Sequence, residues 1–325
     1  VFLTSVIRNA LGFVKRAIAY RSFGTAALIQ TNLPNIVAPL RPDGGRIVID
    51  ELGLSLDPTR HSYYLPQLSG VRDLVKVAGG SFVVNAAGDP EYRIGNLRLV
   101  PKNRDDLYVL SEVFGKQLYE LHDGREWFAV DVGMNVGYAA LYFAGILGWE
   151  TVAYEPFSNT FDLAVQNIER NGLSHRVHPR KAGVGGKDEK ITVGFDADAR
   201  STNSVFGNLQ PDRSGREVPI EIQLVDAASA IREALEAAGN RPLLVKLDCE
   251  GSEYDIVDRL AETGLLDQVE AYIIEYHYIR PEDGPERIRA PFLAHGFLVK
   301  TIWSGIEAGG ILALRLPKSP PTSVA

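Results

Sequence analysis

Residues 129–145, "AVDVGMNVGYAALYFAG", decide how the rest of the chain is read. An apolar run closes on Asp131, glycines at 133 and 137 bracket Asn135, and an apolar segment follows at once. That order predicts a buried strand, a tight turn and the opening of a helix. A turn built for a dinucleotide carries G-x-G-x-x-G, its glycines bringing the backbone up to a pyrophosphate at the helix N-terminus. Here Asn135 replaces the middle glycine, and an acid, Asp131, precedes the first. An acid at that point repels a pyrophosphate and suits a cationic amino-acid group. Twenty-two residues beyond Gly133 the next apolar run ends in "AYEP", which places Glu155 where a carboxylate accepts both hydroxyls of a ribose. A nucleoside bearing a positively charged amino acid meets both conditions. S-adenosyl-L-methionine is therefore the expected cofactor, bound by Asp131, Gly133, Asn135, Gly137 and Glu155.

Outward from this turn, strand-like runs alternate with helical spacing. The runs are "WFAVDVG", "TVAYEP", "RVHPRKAGV", "PLLVKLD", "VEAYIIEYH", "FLVKTIW" and "ILALRL"; between them lie "FDLAVQNIERNG", "DAASAIREALEAAG" and "SEYDIVDRLAETG". Buried β-rich runs separated by helices predict a largely parallel sheet with helices on both faces. No helical pattern separates the last two runs, so the final strand is expected to turn back antiparallel. Two polar insertions, "DADARSTNSVFGNLQPDRSGREV" and "YIRPEDGPER", follow the third and fifth strands. Loops after strands gather where open α/β sheets bind ligands, so both are candidate pocket walls or lids, and Ser201, Thr202, Asn203 and Ser204 are candidate contacts.

With these pieces in hand, the chain from about residue 130 to 303 resembles the FkbM-type S-adenosylmethionine-dependent methyltransferases. The resemblance rests on "DVGMNVGY", "YEP", "KAGVGGKD", "IIEYH" and above all "VKLDCEGSEYDIV", which is similar to the family's K-[IL]-D-x-E-G-x-E. It implies a class I methyltransferase, a Rossmann-like, mostly parallel seven-stranded sheet with an antiparallel last strand, acting mostly on oxygen. Met134 departs from the family, standing where a small residue is usual.

Methyl transfer from a sulfonium is an in-line displacement, so holding the acceptor in line and excluding water are the main demands, and a base need only take the acceptor's proton. The ends of the fourth and fifth strands offer Lys246, Asp248, Glu250, Glu253, Glu275 and His277. Lys246 and Asp248 alternate with Val245 and Leu247 in a strand expected to be buried on both faces, where charges must be paired or used. They form either an ion pair or a polar floor on which Asp248 or Glu250 takes the proton. His277 is the more conventional base, titrating near neutrality at the end of an apolar strand, with Glu275 two residues earlier on the same side. Glu253 suits the first turn of a helix as a cap. Asp248, Glu250, Glu275 and His277 also suit a divalent cation that would activate a hydroxyl, although the pattern does not demand one and no metal is assigned. Cys249 is expected only to pack. The competing readings are a nicotinamide-dependent oxidoreductase, disfavoured by Asn135 and Asp131, and a non-catalytic module retaining the fold.

Composition narrows the partners. The chain is 325 residues long with 45% apolar residues and a net charge of -7. That balance argues against a nucleic-acid substrate and for a small-molecule or glycan acceptor: a sugar, glycolipid or polyketide-like metabolite. One cysteine allows no internal disulfide, and a cytoplasmic location is the simpler expectation. The charge is uneven: Arg8, Lys15, Arg16, Arg21 and Arg41 all precede the first acid, Asp43. Residues 1–23 carry apolar side chains at i, i+3, i+4 spacing with bases on the other face, a basic amphipathic helix too interrupted to span a bilayer. It is expected to dock on the parent domain or in a homodimer, or to make peripheral membrane contact at an anionic surface. Three regions are expected: a helical segment at 1–42, a small N-terminal α+β region at 43–104, and the methyltransferase domain at 105–325.

Overall fold

The computed structural model describes residues 2–117, 119, 121, 123–195, 203–204, 207–208 and 218–316. The chain forms two compact units, residues 1–120 and 121–325.

The first unit opens with two helices, α1 (Phe2–Ala19) and α2 (Phe23–Asn32). Arg21 takes a left-handed conformation between them, and Ser22 caps α2 by accepting from the backbone N–H of Thr25. Two three-stranded antiparallel sheets follow. One contains β1 (Arg41–Asp43), β2 (Arg46–Ile49) and β3 (Leu54–Leu56); after α3 (Leu68–Lys76), the other contains β4 (Ser81–Val84), β5 (Pro90–Ile94) and β6 (Leu97–Leu99). A run of ring contacts from Tyr64 through Phe82 and Tyr92 to Phe114 forms the aromatic spine of this unit. Helix α4 (Arg104–Leu110) continues into a π turn at Ser111–Gly115. Leu107, Leu110, Val113 and Phe114 are buried there, and α3 packs on the turn. The stretch from Asp105, placed by sequence at the head of the methyltransferase domain, is thus part of the first unit.

The second unit is built on β7 (Phe128–Val132), α5 (Tyr138–Gly145), β8 (Glu150–Tyr154), α6 (Ser158–Arg170) and β9 (Val177–Arg180). A small side sheet comes next, formed by β10 (Gly183–Gly185), β11 (Glu189–Phe195) and, after the short pair β12 (Asn203–Ser204) and β13 (Gly207–Asn208), β14 (Val218–Asp226). The main sheet resumes through α7 (Ala227–Ala238), β15 (Leu243–Leu247), α8 (Glu253–Glu262), β16 (Ala271–His277), α9 (Pro285–Ala294), β17 (Phe297–Ser304) and β18 (Ala308–Arg315).

Its strand order is β17-β18-β16-β15-β7-β8-β9. The five strands from β16 to β9 pair in parallel, while β18 runs antiparallel between β16 and β17. The expected mostly parallel seven-stranded sheet with an antiparallel last strand is therefore observed. From β7 the chain moves one way through α5 and α6, and from β15 the other way through α8. Right-handed crossovers then place these helices on opposite faces. Strands β7 and β15 are buried along their whole length, which explains their unbroken apolar runs.

One sequence expectation changes. "RVHPRKAGV" looked like a single strand but splits at Lys181–Ala182: β9 stays in the main sheet, and β10 leaves it to pair in parallel with β14. Gly183 then sits against the Leu224 side chain, which would have to shift to admit a Cβ there.

Candidate active site

The direction of the sheet reverses between β7 and β15, and ligands of open α/β sheets bind at the carboxyl ends of such strands. Four loops meet there: 133–137 after β7, Glu155 after β8, 248–252 after β15, and His277 at the end of β16.

The first loop is shaped by close approach. Gly133 has φ +83°, and a Cβ on it would lie inside the van der Waals shell of the Asp248 carbonyl oxygen. Glycine is required there twice over, and the loops after β7 and β15 touch through it. Gly133 and Met134 donate backbone N–H groups to the Tyr154 carbonyl at 3.1 and 2.9 Å. Asn135 adopts a left-handed φ of 51°, which asparagine tolerates better than most residues. Gly137, at φ +89°, caps α5 close against Ala164. The side chain of Met134 is buried at 2% exposure. Its bulk is thus absorbed by the protein interior, which accounts for the departure from a small residue.

Glu155 is 4% exposed, and each of its oxygens accepts one backbone N–H, from Asn135 at 2.9 Å and from Phe157 at 3.0 Å. Burial pushes its carboxyl up to about 8, against the pull of those two N–H groups. Each oxygen keeps a lone pair for a further donor, as a ribose diol requires.

Asp131 and Lys246 face each other directly across β7 and β15, with Nζ and Oδ1 2.9 Å apart and both side chains enclosed. Lys246 also lies 3.4 Å from Asp248 and donates to the Gly133 carbonyl at 2.8 Å. The carboxylate of Asp131, expected to face a ligand's amino group, has an internal cation as its partner in the structure. Lys246, expected on the catalytic floor, is a strut that ties both loops together. Of the two readings weighed for it, the ion pair is the one observed.

The fourth and fifth strand ends bring Asp248, Glu250, Glu275 and His277 together, as expected. His277 Nδ1 lies 3.3 Å from Glu253, while Nε2 lies 3.4 Å from Glu250 and 3.8 Å from Glu275. Burial pulls this imidazole down, but Glu250, Glu253 and Asp248 outweigh it and hold His277 well above its ordinary value, as an imidazolium. Glu250 is raised in turn by burial and by the crowding of neighbouring carboxylates, with His277 opposing. Its backbone is held at φ 58°, a left-handed conformation unusual for glutamate. Asp248, Glu275 and Glu250 remain 28%, 25% and 20% exposed, while Glu253 is enclosed. One ligand atom each from Asp248, Glu250 and His277 lie within 4.8 Å of one another, a spacing compatible with a divalent cation.

Sequence reasoning missed what holds these groups. Glu253 is fully buried and accepts from the backbone N–H groups of Cys249 at 2.9 Å and Gly251 at 2.9 and 3.1 Å while facing His277. It was read as a helix cap, and it also fixes the turn that carries Glu250. Asn167 of α6 donates to the Val136 carbonyl at 2.9 Å and pins the first loop from outside. Nothing in "AVQNIER" distinguishes that asparagine from a solvated one. Burial raises the Cys249 thiol, consistent with packing and not with nucleophilic chemistry.

Of the two insertions, the loop after β16 is tied down. Asp283 accepts from the N–H groups of Ile279 and Arg280 and pairs with Arg287, and Arg280 forms a bidentate pair with Asp255 of α8. It is a fastened segment more than a lid. Most of the other insertion, with Ser201 and Thr202, lies outside the described residues, as do the side chains of Asn203 and Ser204.

A family model, the methyltransferase FkbM domain, matches residues 131–299, more than half of the chain. The chain belongs to the FkbM methyltransferase family. The residues matched run from the strand carrying Asp131 past His277 into β17. As a member, the protein is an S-adenosylmethionine-dependent methyltransferase, and the nicotinamide-dependent alternative falls away. Solved structures to which this FkbM methyltransferase is similar include M. capricolum TrmK in complex with S-adenosyl-homocysteine, at 13% identity over 61% of this chain and 66% of that chain, TM-score 0.35. A human methyltransferase 10 domain containing protein follows at 15% identity, 64% and 80% coverage and TM-score 0.36. The N-terminal domain of human METTL16 in complex with SAH shows 14% identity, 90% and 93% coverage and TM-score 0.37. No curated protein matches the sequence.

The residues present fit this cofactor. Glu155 offers two oxygens of the kind a ribose diol needs, and Gly133 and Gly137 let the first loop turn tightly against Asp248 and Ala164 beside it. The carboxylates of Asp248, Glu250, Glu253 and Glu275 outnumber the nearby cations, a balance that favours a positively charged sulfonium. Among the described residues, no helix is long and apolar enough to cross a membrane.

Proposed function

We propose that this enzyme methylates a hydroxyl oxygen of a sugar, glycolipid or polyketide-like metabolite. The observation that carries the proposal is the cluster at the ends of β15 and β16, where two partly exposed carboxylates, Asp248 and Glu250, flank an enclosed His277. A hydroxyl must shed a proton as it is methylated, and a partly exposed carboxylate beside a fixed cation is suited to orient the acceptor and take that proton. The bound cofactor supplies an electrophilic methyl on a sulfonium. Glu155 orients its ribose, and Asp248 and Glu250 position the acceptor, with Asp248, the more exposed of the two and 3.4 Å from Lys246, receiving the proton. His277 and Glu253 hold Glu250 in place, so the imidazole acts as a fixed positive charge and not as the free base.

The test is transfer from S-adenosylmethionine carrying a 13C-labelled methyl to a panel of monosaccharides, glycolipids and hydroxylated macrocycles. Product carbon shifts characteristic of an O-methyl ether support the proposal; a methyl found on nitrogen or carbon overturns it. His277→Ala is expected to lower turnover by roughly a hundredfold while S-adenosylhomocysteine affinity stays within about threefold. Unchanged turnover would remove His277 from the mechanism.

A further inference from the structure

The catalytic reading leaves the N-terminal helices unused, and their surface is unusual. The apolar stripe of α1 is not spent on its neighbour. Ala17 and Tyr20 are buried, whereas Leu11, Val14 and Ile18, at i, i+3 and i+7, are 57%, 49% and 72% exposed. Phe23, at the start of α2, adds a ring at 74% exposure. Val14, Ala17, Ile18, Arg21, Ser22 and Phe23 line a groove of about 320 Å³. Lys15 and Arg21 are exposed beside these side chains, while Arg16 is turned aside to bond Gln30. The first 42 residues hold five basic residues and no acid, in a chain whose net charge is -7.

We infer that this face docks on an anionic lipid bilayer, with Leu11, Val14, Ile18 and Phe23 entering the boundary between headgroups and acyl chains and Lys15 and Arg21 on the lipid phosphates. Large apolar side chains exposed along one stripe and flanked by bases are what an interfacial helix requires. A second copy of the chain is a poorer occupant. A two-fold pairing of this face brings Lys15, Arg21 and their copies into one interface, and no acid in the first 42 residues stands ready to compensate. The inference does not depend on the acceptor proposed above, although an enzyme held at a bilayer has ready access to glycolipids.

Vesicle flotation of the full chain tests it, comparing phosphatidylcholine alone with phosphatidylcholine containing phosphatidylglycerol. Binding is expected only to the anionic vesicles and is expected to weaken with salt. Leu11→Ser with Ile18→Ser should weaken it at least about tenfold, and Lys15→Glu with Arg21→Glu should remove the preference for anionic lipid. Unchanged thermal unfolding and S-adenosylhomocysteine binding in both variants show that they fold. No flotation, equal binding to neutral vesicles, or a dimer in sedimentation that Leu11→Ser with Ile18→Ser dissociates would each overturn the inference.

Discussion

Glu155 shows how much one side chain can contribute once it is enclosed. Its folded value, about 8, stands above the ordinary 4.5 of a glutamate. Because it is raised, its contribution to stability is complete below the unfolded value and is lost as pH rises through the folded one. The ligand-free protein should therefore lose on the order of 3 kcal/mol between about pH 5 and about pH 8 from this group. Glu155→Gln should flatten that slope, and urea unfolding across the range reads the difference; parallel slopes would refute the assignment. A ligand that needs the carboxylate ionised should release close to one proton on binding near neutrality, seen as buffer-dependent heat in calorimetry. At the cluster after β15, both ring nitrogens of His277 already face carboxylates, Glu253 at Nδ1 and Glu250 at Nε2. Activity is therefore expected to survive EDTA, and loss restored by magnesium or manganese would reassign Asp248, Glu250 and His277 to a cation.

The pair of strands β7 and β15 does more than support the site. Asp131 and Lys246 are partners in register, so the ion pair also holds the sheet at the point where its direction reverses. Lys246→Met should cost about 3–5 kcal/mol by stranding Asp131, whereas Lys246→Met with Asp131→Leu should recover most of it. Denaturant unfolding of both variants decides whether the charge is structural. Much of this was legible beforehand. Buried strands announce themselves by unbroken apolar runs, so all seven strands and helices α5 to α8 were visible, as was the meeting of Asp248, Glu250, Glu275 and His277; α9 was not, because its first turn lies in the polar stretch read as an insertion. What composition and spacing cannot show is which way a charge faces. Asp131 and Lys246 lie 115 residues apart, and only their register makes them a pair. The side sheet escaped for a related reason: "EKITVGF" and "VPIEIQLVD" alternate clearly, but nothing local says that β10 abandons the main sheet to join them.

At the scale of the molecule, every cofactor and catalytic candidate from Asp131 to His277 lies in the second unit, together with the complete seven-stranded sheet. A fragment covering residues 121–325 should accordingly bind S-adenosylhomocysteine within about fivefold of the full chain, since fewer than about 1 kcal/mol of contacts would be lost. Calorimetry on the fragment checks this, and failure to bind would make the first unit part of the site. The position of β18 carries a different consequence. It is the last of the seven strands to leave the ribosome, yet it fills the slot between β16 and β17. Until Ala308–Arg315 has been synthesised, the strand bearing His277 waits with one bare edge, open to pairing with any other extended chain nearby. Nascent chains stalled before β18 should thus be wards of the chaperones, and the folding of the catalytic strand waits on the emergence of Ala308–Arg315 and not on its own.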